Sequence, residues 1–300
     1  MRLLLIYVFI SIACIQTHAQ VSFKTEYFGK SNYRMMEGDS DEKVGKSKGS
    51  AIVYQGGISI PLSMSLNENN RPTMWSISAG GAYAKLDNKN FVEPLVIDEV
   101  MNLGLSINYL RPLNDKWSMM ASIGGGIYMP STKFSQIRFK NVLGSAGAIF
   151  IYHLKPNLEL GGGIAMNNSF GFPMVFPAFY LNWTTEGRYA VRISMMEGLE
   201  MSAGYNVSKN FSLNIVAEMN GQMALLEQDG KDKIFSHQYI VAGLRPEIKI
   251  GKNVSIPITA GVSAMRPTEI TNRNLKSLFQ DRSYYFQISP YVSAGLQIIF

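Results

Sequence analysis

A serine, a histidine and an acid held in line can generate a nucleophile, and this 300-residue chain carries three histidines. His237 follows Ser236, and Asp229 and Asp232 lie a few residues upstream, so a rim group of the hydrolase or acyltransferase kind is one reading. Neighbours on a strand point to opposite faces, however, which sets Ser236 and His237 back to back. His153 stands apart, just before Lys155 and Pro156. Two distant histidines and a single cysteine, Cys14, offer no metal-ligand spacing. Gly124-Gly125-Gly126 and Gly161-Gly162-Gly163 neither open a helix nor precede a Lys-Ser/Thr pair, so they are not phosphate loops; they read as strand glycines that free space and permit curvature. The expectation is no enzyme, no catalytic residue, no metal and no cofactor.

Charge is the more informative chemistry. Lys24, Glu26, Glu159, Arg192, Glu200, Glu218, Arg245 and Glu247 each fall on the polar parity of an alternating segment. If the apolar parity faces lipid, these side chains face a lumen. A misplaced Arg or Lys near the bilayer midplane would cost about 2–4 kcal/mol. Both signs are present, so the set reads either as a salt-bridged plug that stiffens a barrel or as a selectivity ring in a pore.

The elements that must position these groups repeat with period two. Met101, Leu103, Leu105, Ile107 and Tyr109 alternate with Asn102, Gly104, Ser106 and Asn108, and the pattern recurs from Trp117, from Phe211 and from Phe286 to Phe300. In the last of these Phe286, Ile288, Pro290 and Val292 share the apolar parity. Short polar turns near 67–70, 114–116, 155–157, 186–188, 209–210 and 251–253 take turns with longer loops. The longer ones are expected at 30–48, 87–98, 130–141, 167–173, 226–236 and 266–282, with a tight turn at Glu197-Gly198 as the exception. This predicts an all-β, antiparallel, up-and-down transmembrane barrel of about fourteen strands, with twelve to sixteen possible, in one domain over 20–300. Pro61, Pro177, Pro246, Pro257 and Pro290 fall inside these strands and are expected at bulges or strand ends.

Composition fits. A chain that is 46% hydrophobic and 17% charged is neither disordered nor a disulfide scaffold, and no run approaches the roughly 20 apolar residues of a spanning helix. Mean hydropathy is +0.02, low in charge for wrapping a soluble core of this size. The formal charge of +6 is dispersed over loops that also hold acids, so no nucleic-acid footprint is expected. Residues 1–19 read as a signal peptide, with Arg2, an apolar run from Leu3 to Ile15, and Thr17-His18-Ala19 before cleavage at Gln20; acylation at Cys14 is the alternative.

Trp75, Tyr109, Trp117, Trp183 and Phe211 border the short turns and are expected to form one interfacial ring, with Tyr27, Tyr83, Tyr128 and Tyr239 furnishing the second. The leader, the loop asymmetry and a last strand running from Tyr291 through Leu296 and Ile298 to Phe300 together resemble bacterial outer-membrane β-barrel proteins. More narrowly, Leu110 to Ser118 and Phe176 to Trp183 resemble a domain-of-unknown-function barrel family of Bacteroidota-type bacteria. The resemblance implies an outer-membrane location, lipid as a partner, and the barrel-insertion machinery reading the terminal strand. It implies no activity. The functional readings are a passive channel or small-solute transporter, a non-conducting structural or partner-binding barrel with a filled lumen, and a rim enzyme acting on lipid or glycan.

Overall fold

The computed structural model describes residues 19–68, 71–91, 95–185, 187–195 and 198–300, so the expected signal peptide up to His18, and Glu197, lie outside the described residues. The strands in chain order are β1 (Gln20–Glu37), β2 (Ser40–Leu66), β3 (Pro72–Lys89), β4 (Glu99–Pro112), β5 (Trp117–Met129), β6 (Val142–Lys155), β7 (Leu158–Asn167) and β8 (Met174–Thr184). They continue as β9 (Tyr189–Met195), β10 (Leu199–Ser208), β11 (Phe211–Gln228), β12 (Lys231–Ile250), β13 (Val254–Asn272), β14 (Arg282–Phe286) and β15 (Ser289–Ile299). From β1 to β14 each pairs antiparallel with its chain neighbours, β15 pairs with β13 and β1 rather than with β14, and β1 closes the ring against β14 and β15. Because β14 and β15 both lie between β13 and β1, they are two halves of one interrupted stave, and the barrel has fourteen staves.

Alternation explains the closed form. The large apolar side chains on one parity, such as Leu105, Ile123, Ile164, Phe179, Ile215 and Leu244, stand exposed on the outer surface. The inner parity is rich in glycine, serine and asparagine. This inverts a soluble protein, which keeps its large apolar groups inside. Closure leaves no free sheet edge around most of the ring.

All the prolines expected inside strands but Pro177, which lies within the unbroken β7–β8 register, sit where a ladder is already interrupted. Pro61 precedes a bulge against β3, Pro290 opens the second half of the last stave, and pairing between β12 and β13 skips from Leu244 to Glu247 around Pro246.

Three expectations are corrected. Residues 30–48, 226–236 and 266–272 are not loops: β1 and β2 run up to a turn at Gly38-Asp39, β11 and β12 to one at Asp229-Gly230, and β13 runs on to Asn272. These extensions carry charge on both faces, so they lack an alternating signature, yet cross-strand pairs such as Arg34 Nε to Asp41 Oδ1 at 2.8 Å hold them as sheet. Second, Phe286 is buried rather than outward, because the interruption at Gln287-Ile288 shifts the parity of the last stave. Third, Tyr239 is fully buried inside the barrel and Tyr128 packs against an internal apolar cluster, so neither joins an outer aromatic ring. Tyr27 remains outward and exposed.

The wall encloses two different interiors. Toward the long hairpins, Phe28, Val53, Leu86, Val100, Phe235, Tyr239 and Tyr291 form an apolar core within the bore. Here β11 leaves the wall and packs directly on β4 and β5, which are not its neighbours in the ring. Toward the short turns the interior is polar.

Candidate functional site

The polar half of the bore holds a charge network beneath the apolar plug. Lys24 on β1 places Nζ 2.9 Å from Glu26 Oε1 and 2.7 Å from Glu218 Oε2 on β11, a strand that β1 does not neighbour. Arg245 on β12 pairs with the other oxygen of Glu218, reaches Glu200 Oε1 at 3.4 Å and donates from Nε to Thr259 Oγ1 at 2.9 Å. Five of the eight charges singled out by parity thus meet across the bore in one chain of alternating sign.

Glu26 anchors this network to the plug. Its side chain is fully buried and accepts from Tyr239 Oη at 2.7 Å, Tyr291 Oη at 2.5 Å and Gln55 Nε2 at 2.9 Å. A buried carboxylate without such partners would cost several kcal/mol. Phe28 then stacks its ring within 4.7 Å of Tyr239 and 5.1 Å of Tyr291, so charge network and apolar plug share two tyrosines.

Arg192 and Glu247, two more of the eight, line a cavity of about 450 Å³ on the short-turn side with Glu200, Arg245 and Lys249. Thr184, Ser202, Ser212 and Asn214 complete its polar wall. Its cations number three and its carboxylates two, and Arg245 is already neutralised by Glu200 and Glu218. Arg192 and Lys249 have no ion-pair partner among the described residues.

Glu159, the last of the eight, lies elsewhere, and sequence reasoning missed what surrounds it. Ser118 Oγ is 2.7 Å from His153 Nε2, and His153 Nδ1 is 2.9 Å from Glu159 Oε1. Tyr180 and Asn182 also donate to Glu159, at 2.7 and 3.2 Å. The three residues lie on β5, β6 and β7, and no local spacing reveals them; the signal available was their shared inward parity next to short turns. A serine, a histidine and an acid in line are the geometry of an activated nucleophile. Ser118, however, lies at the turn end of the β4–β5 ladder, opposite Pro112 and Ile151, so it belongs to a strand rather than to a nucleophile-bearing turn with its own oxyanion donors.

The group expected around His237 does not assemble. His237 is fully buried, its Nδ1 3.0 Å from Gln222 Oε1, and its ring packs on Phe28 and Tyr239. Asp229 and Asp232 stand at the exposed hairpin end, and Ser236 lies on the opposite parity. No group of three or more His, Cys, Asp or Glu able to hold a metal occurs among the described residues.

The aromatics bordering the short turns pair across strands. Trp75 stacks on Tyr109 at 4.4 Å, Trp117 meets Tyr152 at 4.9 Å and Tyr189 meets Tyr205 at 5.3 Å. Trp183 and Phe211 hold the matching rows, opposite Leu158 and Ile248. On the last stave Leu296 and Phe300 point outward, whereas Tyr291 points inward to Glu26.

Solved barrels share the general architecture. The chain is similar to an outer membrane channel from Pseudomonas putida F1, at 9% identity and a TM-score of 0.45 over 96% of this chain and 97% of that one. The TodX monoaromatic hydrocarbon channel matches at 10% identity and 0.45 over 94% and 90%, and the translocator domain of the autotransporter NalP from Neisseria meningitidis at 14% and 0.38 over 99% and 93%. No curated protein is detectably similar in sequence. Residues 15–299 match a single family described as "Domain of unknown function (DUF6268)", and the chain belongs to that family over nearly its whole length.

Proposed function

We propose that the protein is an outer-membrane β-barrel that transports a small solute and is closed at rest, rather than an open porin. The observation that carries this reading is the polar cavity of about 450 Å³ lying directly under an apolar plug in the same bore. A structural barrel needs no such cavity, and an open porin has no such plug. The outward apolar belt supports a lipid surround, because backbone closure and exposed aliphatic side chains are stable together only in an apolar solvent. The exported leader and the terminal strand, with Leu296, Ile298 and Phe300 for the insertion machinery, belong to the same proposal. The outward aromatic pairs Trp75–Tyr109 and Trp117–Tyr152 mark one lipid–water boundary.

The second reading, a filled barrel that only scaffolds or binds a partner, is favoured by the contacts that cross the bore. Planar-bilayer recordings separate the two. The wild type is expected to carry sparse, small currents, and Phe28→Ala with Tyr291→Ala to carry a steady ohmic current. A folded double variant that still fails to conduct establishes the scaffold reading. A large ohmic current through the wild type overturns closure at rest.

A further inference from the structure

The bore is sealed along its axis but not along its side. β9 has seven residues before the turn at Gly198, whose φ of +142° favours glycine, while a tilted spanning strand needs about 9–11 residues. The β9–β10 hairpin therefore ends below the outer ends of β8 and β11, and only two residues separate Met195 from Gly198. Among the described residues β8 pairs with β9 only at Asn182, Trp183 and Thr184, and its stretch from Met174 to Leu181 has a ladder toward β7 alone. On the other side of the gap, β10 reaches β11 no farther than Leu199 opposite Met219, and β11 above Met219 is paired only to β12.

The two edges are treated differently. The β11 edge crosses the bore, where Asn102 on β4 exchanges both amide hydrogen bonds with the Met223 backbone, at 2.6 and 3.3 Å, and Asn141 donates to Leu225 O at 2.6 Å. The β8 edge stays in the wall. Pro177 lies within it and Pro173 precedes it, which lowers the number of unpaired N–H groups, as open edges require. Its outward side chains Val175 and Phe179 are 61% and 68% exposed. Inside the gap the lining is apolar: Phe170 and Phe176 lie 6.2 Å apart, and Phe170 and Met223 pack on Leu225. Below the gap the ladder closes at Asn182 opposite Ser194, and two pairs farther on Thr184 and its partner Arg192 line the polar cavity.

We propose that this gap is a lateral doorway through which a single-chain amphiphile with an anionic head passes between the acyl layer and the cavity. The doorway admits only what the acyl layer dissolves, and the cavity holds only what carries a polar end, so the ligand has both. Arg192, without a carboxylate partner among the described residues, takes the head; Phe176 and Met223 line the path of the tail. The proposal rests on the membrane reading above and makes that transporter lipid-fed rather than water-fed.

Two measurements test it on the full chain in phosphatidylcholine vesicles. In a Cys14→Ser background, nitroxides are placed singly at Ala178 (inward, on the open edge), Ser122 (inward, on a fully paired wall) and Ile123 (outward). Ala178 is expected to be relaxed preferentially by oxygen over a water-soluble nickel chelate, as Ile123 is; behaviour like Ser122 overturns the doorway. If Ile123 itself shows no oxygen preference, the membrane reading fails instead. Dodecyl phosphate is then expected to immobilise the Ala178 label, with affinity about tenfold lower in Arg192→Gln and partly recovered in Arg192→Lys. Uncharged dodecyl maltoside should be indifferent to both substitutions. Equal affinity of wild type and Arg192→Gln for dodecyl phosphate overturns the anionic head.

Discussion

Glu218 is the residue on which the interior charges turn, since it lies between Lys24 and Arg245 with one oxygen for each. Removing its charge leaves two cations facing each other in a largely buried site. Breaking such a pair by loss of one partner costs about 3–5 kcal/mol, far more than losing a surface bridge. Glu218→Gln is therefore expected to lower the urea midpoint of the folded barrel, read by heat-modifiable migration on gels, and Lys24→Met in addition should recover part of the loss. A second residue-scale prediction concerns pH. The hydrogen bond and charge of Lys140 hold the Glu227 carboxyl below the usual carboxylate range, outside the wall. A lowered folded value means that this tether is at full strength above the ordinary range near pH 4.3 and is lost as pH falls through the lower folded value. Proteolysis of the 130–141 loop should accelerate on acidification through that window, and Glu227→Gln should be equally susceptible across it. Parity made the eight charged residues visible in the sequence. Their partners were not visible, because Lys24 and Glu218 stand 194 residues apart and only closure brings them together.

Among elements, the β11–β12 hairpin was the hardest to read. Its outer half looks like a polar loop in sequence because its charges occupy both faces, and no pattern announces that β11 will bend across the bore. What holds it is local and testable. Asn102 satisfies both backbone groups of Met223, so Asn102→Ala leaves a part-buried donor and acceptor unmet, at a cost of about 1 kcal/mol. Hydrogen exchange at the Met223 amide is expected to quicken several-fold, while amides in β3 stay unchanged. The β6–β7 pair shows the opposite case, an element legible in sequence. The triplet Gly161-Gly162-Gly163 read as strand glycine, and the structure supplies the reason: a Cβ at Gly163 would lie 2.0 Å from Ala148 O. Gly163→Ala must push the two strands apart locally, and overpacking of this kind costs about 1–3 kcal/mol. Gly162, with open space around its Cβ position, should accept alanine with little change.

At the level of the whole molecule, alternation, turn length and low charge sufficed for a closed fourteen-stave barrel, because each is repeated many times and single errors average out. The misplaced aromatics, Phe286, Tyr239 and Tyr128, all arise where the wall is not a plain wall. Phe286 lies beside the interrupted stave, and the two tyrosines lie against apolar clusters inside the bore. The inside-out distribution has a consequence of sign. Ile123 is 63% exposed, and in a water-soluble protein Ile123→Arg would change stability by no more than about 0.5 kcal/mol. In a lipid-facing belt the same change costs about 2–4 kcal/mol. Unfolding from vesicles is expected to show the larger loss for Ile123→Arg and little loss for Arg placed at Lys249, beside the short turns. The last feature is the seam. The first and last staves meet in register from Gln20 opposite Ile299 to Phe28 opposite Tyr291, the most distant pairing the chain makes. Every other stave can find its neighbour as soon as one hairpin forms, but this join waits for all of them. Until it forms, β1 and the β14/β15 stave both present open edges, so the assembling chain is at its stickiest just before it is finished. A helper that shields two edges at once would therefore act on this protein at its final step, not its first.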